Sequence, residues 1–190
     1  MSEVQLKNIQ KGMAINGIAA AVIRTKTKAW MIKTNSEATV KPTVNNGEDK
    51  PLRKGNTIYA RYKTGDLIMG YDIELTDVLL YPEVLAIVDG GTVVNGTGGA
   101  FESYSGPVVG KETVREAFTL ELYCPNLDTS GKPVDYQKIS FEGCEGKSPV
   151  EWTLKDAEFF TPKYVLVNAP EFGKAPMKME IVKTLPVAQT

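Results

Sequence analysis

The stretch GYDIELTDVLLYPEVLAIVDGG, residues 70–91, constrains the fold most, because its hydrophobic period changes halfway. Up to Thr76 apolar and polar residues alternate, which is typical of a half-buried β-strand. After Leu79 the apolar residues follow helical spacing, with a proline tolerated in the first turn and Gly90 as a stop signal. The pattern predicts a strand, a short turn and one brief helix, whose candidate residues are Pro82, Val84, Leu85, Ile87 and Val88.

Most of the remaining chain has the pattern of short β-strands separated by turn residues. Strands are predicted at residues 29–34, 38–44, 56–63, 113–123, 134–142, 150–154, 163–168 and 176–184. The best hairpin signal is PNLDTSGKP, residues 125–133, between two alternating runs. The glycine-rich segment 90–107 is expected to be mostly connection. The expected fold class is mainly β, a sandwich or barrel-like fold with one short flanking helix.

A charged segment, NNGEDKPLRKGN at residues 45–56, interrupts the predicted strands. Its Asn, Gly and Pro content predicts a long solvated loop, which is often an interaction element. The strand predicted at residues 56–63 is expected to pair with residues 67–76 through a turn at residues 64–66. The helix would then directly follow this hairpin.

The first 28 residues are interpreted as an amino-terminal arm, and residues 29–190 as a single domain. The length of 190 residues suits one hydrophobic core. Within the arm, the apolar run IAAAVI lies between Gly17 and the basic segment RTKTK, without a clear cap or clean alternation. Two interpretations are open: a strand or loop laid over the domain, or a segment that docks on a neighbouring copy.

Charge and hydropathy restrict the kinds of partner. Twenty-two basic and 23 acidic residues give a net charge of −1, which lacks the basic excess of proteins that bind duplex DNA tightly. A net charge near zero also permits self-association. No apolar run approaches the roughly 20 residues that cross a bilayer, so no membrane span is expected. The amino terminus lacks the pattern of a secretory signal, which favours residence in the cytoplasm.

The two cysteines, Cys124 and Cys144, are expected to be free thiols. They flank the predicted hairpin of residues 125–133, and its register places Cys124 opposite residues near position 134. Cys144 would then lie too far away for the Cα separation that a disulfide tolerates. A cytoplasmic location favours reduced thiols as well.

Catalytic, metal-binding and nucleotide-binding patterns are weak or missing. The chain contains no histidine, which removes the commonest general base and transition-metal ligand. Two cysteines cannot complete a structural zinc site, and the glycine-rich segments fail the phosphate-loop and dinucleotide patterns. Asp72 and Glu74 share one strand face about 6.6 Å apart, but no other reactive group converges there. The sequence predicts a protein that is not an enzyme and carries no cofactor or metal.

The order of these segments resembles the major tail (tail tube) proteins of long-tailed, siphovirus-like bacteriophages. The similar parts are a charged segment and strand at residues 48–63, a G-Y-x-x-x-L strand at residues 70–75 and a short helix at residues 82–88. The carboxy-terminal half, from Phe118 through Phe141 and Phe159 to the closing MKMEIVKTLP, is similar in strand order and ending. The resemblance covers residues 4–186.

The resemblance implies a structural subunit of a virion tail, assembled in the host cytoplasm. Six copies would close into a ring, and stacked rings would conduct double-stranded DNA without tight binding. A tape-measure protein and tail terminator or baseplate proteins would be partners. Because a conduit should not hold DNA, Asp66, Asp72 and Glu74 are the candidate lumen-facing residues. The arm and the charged segment supply the candidate contacts between rings: Val4, Leu6, Ile9, Met13, Ile15, Glu48, Asp49, Lys50, Arg53 and Lys54.

Two other functions fit the same pattern of strands. A tube subunit of a contractile tail or injection system would share the fold and would have a sheath as a further partner. A solitary β-sandwich module that binds carbohydrate would use Trp30, Trp152 and tyrosines as a stacking platform, although aromatic residues in strands more often belong to the core.

Overall fold

A computed structural model describes residues 12–187 and confirms a mainly β, sandwich-like fold with one short helix. The strands are β1 (Ala20–Arg24), β2 (Ala29–Ile32), β3 (Asn35–Asn45), β4 (Asp49–Lys54), β5 (Thr57–Lys63), β6 (Leu67–Asp77), β7 (Thr92–Asn95), β8 (Phe101–Ser105), β9 (Phe118–Leu127), β10 (Pro133–Gly146), β11 (Lys163–Asn168) and β12 (Lys178–Val182). The helix α1 spans Pro82–Asp89, and a short 3₁₀ turn spans Thr97–Gly99.

The main sheet has eight strands in the order β2-β1-β9-β10-β11-β6-β3, with β12 also paired to β10. Strand β10 joins two halves of this sheet. Its residues 136–140 pair with β9 and β12, and its residues 144–146 pair with β11, with an irregularity between Phe141 and Cys144. Such bulges bend a strand. Because one core cluster contains residues of both halves, the two halves face each other across it.

The core is filled by the alternate residues of these strands and by one face of α1. Its largest fully buried side chains include Tyr164 and Phe141, with Ile23, Ile32, Ile73, Leu75, Leu120 and Leu166. The predicted helix residues Val84, Leu85, Ile87 and Val88 are all buried, and Pro82 begins the helix as predicted. Gly90 ends the helix in the left-handed conformation, and its N–H donates to the carbonyl of Ala86.

The prediction for residues 125–133 is also confirmed. β9 and β10 form an antiparallel hairpin, and the carboxylate of Asp128 accepts hydrogen bonds from the N–H groups of Ser130 and Lys132 within its turn. Cys124 pairs with Gln137, slightly beyond the predicted register, and both cysteines are free and buried. Burial raises the pKa of the Cys144 thiol to about 12, so this thiol stays protonated at neutral pH.

The loop predicted at residues 45–56 was wrong. Residues 49–54 form β4, which pairs with β5 in a two-stranded sheet, and Gly55 makes the tight turn between them at φ 59°. The predicted pairing of residues 56–63 with residues 67–76 was also wrong, because β5 pairs with β4. β6 pairs instead with β3 and β11, because β3 continues to Asn45 and forms its ladder along the whole length of β6.

Two other predicted strands were wrong in whole or in part. Residues 150–154 form no strand, because the N–H of Val150 donates to the carboxylate of Asp89. Residues 113–117 precede β9 without joining its ladder, and Arg115 donates from Nε to the Val88 carbonyl at the end of α1. Segment 90–107, predicted to be mostly connection, contains the short β7–β8 hairpin.

Part of the predicted arm belongs to the main sheet. β1 lies between β2 and β9, and Ala20, Ala21, Val22 and Ile23 are buried. The preceding residues continue along β9, since the N–H groups of Ala19 and Asn16 donate to the carbonyls of Tyr123 and Pro125 at 2.7 and 3.0 Å. The small residues of IAAAVI therefore fit a buried strand, which is the first of the two interpretations.

The last residue of α1, Asp89, is buried and connects the helix to two neighbouring segments. Its carboxylate accepts hydrogen bonds from the Val150 N–H at 2.9 Å and from the Tyr104 hydroxyl at 3.2 Å. Burial raises the pKa of Asp89 despite these donors. The negative charge also lies at the carboxyl end of a helix, where it opposes the helix dipole.

The variant Asp89→Asn should be as stable as the wild type at neutral pH or more stable by up to about 1 kcal/mol, because it keeps an acceptor and removes the buried charge. Asp89→Ala leaves the Val150 and Tyr104 donors without this acceptor and should lose about 1–3 kcal/mol. The folded pKa of Asp89 lies above its unfolded value, so its contribution to stability is present at low pH and is lost as the pH rises through the folded pKa. Urea unfolding between about pH 3 and about pH 7 measures this loss, which the Asn variant should lack. An Asn variant with the same pH dependence as the wild type would contradict the assignment.

Candidate assembly surfaces

The β4–β5 hairpin carries the predicted charged segment and is exposed along its whole length. Hydrogen bonds fix its base. The N–H of Gly47 donates to Asp66 Oδ1 and the N–H of Glu48 donates to Thr64 Oγ1, both at 2.7 Å. A Cβ at Gly47 would lie 2.1 Å from the Thr64 carbonyl oxygen, so only glycine fits this close approach. The hairpin therefore leaves the main sheet from a defined base.

One face of this hairpin is apolar although it is open to solvent. Leu52 pairs with Ala60, and Tyr62 lies on the same side of β5 as Ala60. A register shift after Leu52 makes Ile58 the partner of Arg53, so Ile58 lies on the other face of the hairpin. Leu52, Ile58 and Tyr62 are 66%, 62% and 60% exposed. An isolated two-stranded hairpin that exposes such a face is typical of an element that binds a partner. The alternation of β5 predicts a strand, but the turn at residues 64–66 favoured β6 as its partner and did not indicate a separate hairpin.

The predicted charged residues of the hairpin are partly paired with one another. Lys50 forms an ion pair with Glu48 at 2.6 Å, and the guanidinium of Arg61 binds both carboxylate oxygens of Asp49. Arg53 and Lys54, next to the turn, form no ion pair with any residue between positions 12 and 187. The tip of the hairpin therefore has an uncompensated positive charge.

The predicted acidic pair lies on the solvent side of β6, and lysines neutralise it. Lys147 Nζ lies 2.8 Å from Asp72 and Lys163 Nζ lies 2.6 Å from Glu74. The hydrogen bond and the charge of Lys163 lower the pKa of Glu74. Neighbouring strands add Glu37 and Lys41 to this face. Glu145 pairs with Val167, the partner of Asp72, and adds a further exposed acid. The face of Glu37, Lys41, Asp72, Glu74, Glu145, Lys147 and Lys163, here called the β6 face, therefore has four acids and three bases and a net charge of −1.

The third predicted lumen residue, Asp66, and the predicted contact residues of the arm lie apart from the β6 face. Asp66 is exposed at the base of the hairpin, where it accepts the bond from Gly47. Met13 and Ile15 are about half exposed beside the end of β9, and Ile15 forms a bridge with Asn126. Val4, Leu6 and Ile9 lie outside the described residues. The structure therefore places the predicted lumen and arm residues in three separate regions.

Strands β2 and β3 form the two ends of the strand order. Within the part of the chain that the structure describes, each pairs with one neighbour, which leaves its outer backbone edge open. Open edges can pair with another chain, and Pro42 and Lys41 on β3 are residue types that restrict unwanted pairing. The eleven residues of β3 make it the longer open edge.

The segment between β10 and β11 carries an aromatic cluster, of which the sequence indicated only Trp152. Trp152 stacks on Phe160 with ring centroids 4.8 Å apart and planes at 8°. Leu154 and Phe159 of the same segment are exposed. Trp30, the other tryptophan, packs against the main core. Only one face of Trp152 is therefore open for stacking.

Among residues 12–187, no group of histidine, cysteine or acidic side chains has an arrangement that could hold a metal ion. Within the same residues, no helix has the length and apolar character needed to cross a membrane. These surfaces offer exposed apolar faces, open strand edges and paired charges. In comparisons with known proteins, no family model matches the sequence, and no curated protein matches it.

Proposed function

We propose that the chain is the structural subunit of a phage tail tube. Six copies close into a ring, and stacked rings surround a lumen that conducts the genome. In this proposal the subunit is not an enzyme, its partners are copies of itself and the tail proteins that terminate the tube or set its length, and it resides in the virion tail.

One observation carries the proposal: a fixed hairpin exposes an apolar face outside the core. Covering this face removes apolar surface from water, which drives association. The open edges of β2 and β3 provide backbone groups that adjacent copies can pair, as strands do in a closed barrel. The β6 face has no excess of positive charge, which meets the requirement that a DNA conduit should not hold its cargo. A binding module for carbohydrate is less well supported, since Trp30 belongs to the core and Phe160 covers one face of Trp152.

Sedimentation over a concentration series tests the proposal directly. The full-length protein is expected to change from a slow species to large particles above a critical concentration, because ring and tube formation is cooperative self-association. A single slow species at all concentrations would contradict the proposal.

The proposed lumen assignment predicts the effect of Asp72→Asn with Glu74→Gln. This double variant leaves Lys147 and Lys163 without their carboxylate partners and changes the net charge of the β6 face from −1 to +1. Tubes of the variant should retain short duplex DNA at low salt, with log affinity falling against log salt at a slope of about −1.8 for two phosphate contacts. Cosedimentation of labelled DNA measures this retention. The matched control adds Lys147→Gln and Lys163→Gln, which restores the wild-type net charge of this face and should abolish retention. Equal retention by wild-type and double-variant tubes would place the β6 face outside the lumen.

A deletion of residues 2–12 tests the role of the arm. It removes Val4, Leu6 and Ile9 but keeps the hydrogen bonds that Ala14 and Asn16 donate to β9. Monomer stability should therefore change by less than about 0.5 kcal/mol, while tube length should decrease because contacts between rings are lost. Circular dichroism and electron microscopy report the two quantities. Tubes of normal length would remove the arm from the proposed contacts.

A further inference from the structure

Two surfaces with exposed apolar side chains lie at opposite ends of the sheet formed by β3, β6 and β11. The β4–β5 hairpin adjoins Leu67, the first residue of β6. Lys163 pairs with Thr76 at the other end of β6, and the carbonyl of Pro162 accepts a hydrogen bond from the Asp77 N–H. The 11 residues of β6 span roughly 33 Å. A contact between these two surfaces must therefore join different copies.

The first surface, here called the hairpin surface, consists of Leu52, Arg53, Lys54, Ile58 and Tyr62. Leu52 and Tyr62 lie on one face of the hairpin, Ile58 lies on the other face opposite Arg53, and the two basic residues lie beside the turn. None of the five is buried by the rest of the described chain. This surface offers an apolar face bordered by positive charge.

The second surface, here called the acceptor surface, consists of Glu151, Trp152, Leu154, Asp156 and Phe159. Phe159 is 98% exposed and Leu154 is 73% exposed. Phe159 also lines a cavity of about 280 Å³ together with Glu151, Phe160 and Lys163. A cavity of this size accepts a large apolar side chain such as leucine or tyrosine.

The charges that remain after local pairing are opposite on the two surfaces. On the acceptor segment, Lys155 pairs with Glu158 at 3.2 Å. Glu151 and Asp156 form no ion pair with any residue of the described chain, and the same is true of Arg53 and Lys54 on the hairpin surface. Two unpaired acids thus face outward at one end of the sheet, and two unpaired bases at the other.

We propose that the hairpin surface of one copy docks on the acceptor surface of the next copy along the tube axis. This inference rests on the proposed tube and names the partner surface of its hairpin. Docking buries the apolar face and joins Arg53 and Lys54 to Glu151 and Asp156. Because the two surfaces differ and lie at opposite ends of one sheet, the contact is heterologous and repeats without closing, as a stacked assembly requires.

Charge reversal with rescue tests this pairing. Arg53→Glu with Lys54→Glu should prevent assembly, and Glu151→Lys with Asp156→Lys should do the same, because each places like charges opposite one another. The variant with all four substitutions restores opposite charges and should assemble at a critical concentration within about tenfold of the wild type. Sedimentation measures assembly, and circular dichroism verifies the fold of each exposed-residue variant. If the acceptor reversal assembles like the wild type, or if the fourfold variant stays monomeric, the pairing is wrong.

Phe159→Ser tests the apolar part of the contact. Phe159 is almost fully exposed, so its loss should not affect folding, yet the critical concentration should rise by about tenfold or more. Val109→Ser is the matched control, since Val109 is equally exposed but lies outside both surfaces. An unchanged critical concentration for the Phe159 variant would overturn this contact but not the proposed tube, because the wild-type protein would still assemble. A wild type that stays monomeric would instead overturn the proposed function together with this contact.

Discussion

Replacing Gly146 with alanine is expected to destabilise the monomer by about 3 kcal/mol. A Cβ at this position would lie 1.9 Å from the Val88 carbonyl oxygen of α1. The helix must then move away from β10. This movement opens the part of the core that contains Val84, Leu85 and Val88, between the helix and the sheet. The effect arises from helix packing alone, because Gly146 does not need a positive φ angle.

Equilibrium unfolding in urea measures this loss of stability. Gly106→Ala is the matched control, since no atom lies within 4 Å of a Cβ built there. The free energy of unfolding of the control should lie within about 1 kcal/mol of the wild-type value. A small increase is expected more than a decrease, because alanine restricts the unfolded chain. If the Gly146 variant unfolds at the same urea concentration as the wild type, α1 does not pack against β10 as described.

The double variant Leu52→Ser with Tyr62→Ser should separate folding from assembly. Both side chains are exposed on the hairpin, so the free energy of unfolding of the monomer should change by less than about 0.5 kcal/mol. Burying a leucine and a tyrosine in a subunit contact contributes about 3 kcal/mol or more in total, so the critical concentration for assembly should rise by about a hundredfold.

The control for this double variant is Val108→Ser with Val109→Ser, which removes two exposed apolar side chains from a segment outside the hairpin. Its assembly should match that of the wild type. Assembly of the hairpin variant at the wild-type critical concentration would mean that the apolar face of β4–β5 has no role between copies. A large loss of monomer stability would mean that this face packs on its own chain.

The parts of the fold that the sequence predicted depend on local signals. Pro82, the helical spacing and Gly90 lie within one short segment and indicate α1 without knowledge of distant residues. The β9–β10 hairpin is equally local, because its turn and both alternating runs are adjacent in the chain. Local turn chemistry and hydrophobic period are sufficient for such elements.

The errors concern the choice of a strand's partner. β5 has the alternation of a core strand, and the turn at residues 64–66 favoured β6 as its neighbour. The pairing of β3 with β6 instead joins residues up to 42 positions apart, as with Asn35 and Asp77, and no local pattern specifies such a contact. Exposed charges in β4 predicted a loop because a hairpin outside the core needs no buried face.

The candidate surfaces were predicted incompletely for a similar reason. Asp72 and Glu74 share a face as expected, but their lysine partners come from distant positions in the chain. The 75-residue separation between Lys147 and Asp72 explains why the sequence indicated an acidic face where the folded chain has a face of mixed charge. The exposure of Trp152 and Phe159 also depends on the folded arrangement, since aromatic residues are buried in most strands.

Negative-stain electron microscopy of the purified protein shows whether its copies form a tube. Hollow tubes of stacked rings with sixfold symmetry are expected at concentrations above the critical value measured by sedimentation. The Leu52→Ser, Tyr62→Ser variant on the same grid provides the reference for unassembled subunits. Dispersed monomers of the wild type at high concentration, or compact closed particles without a lumen, would contradict the account.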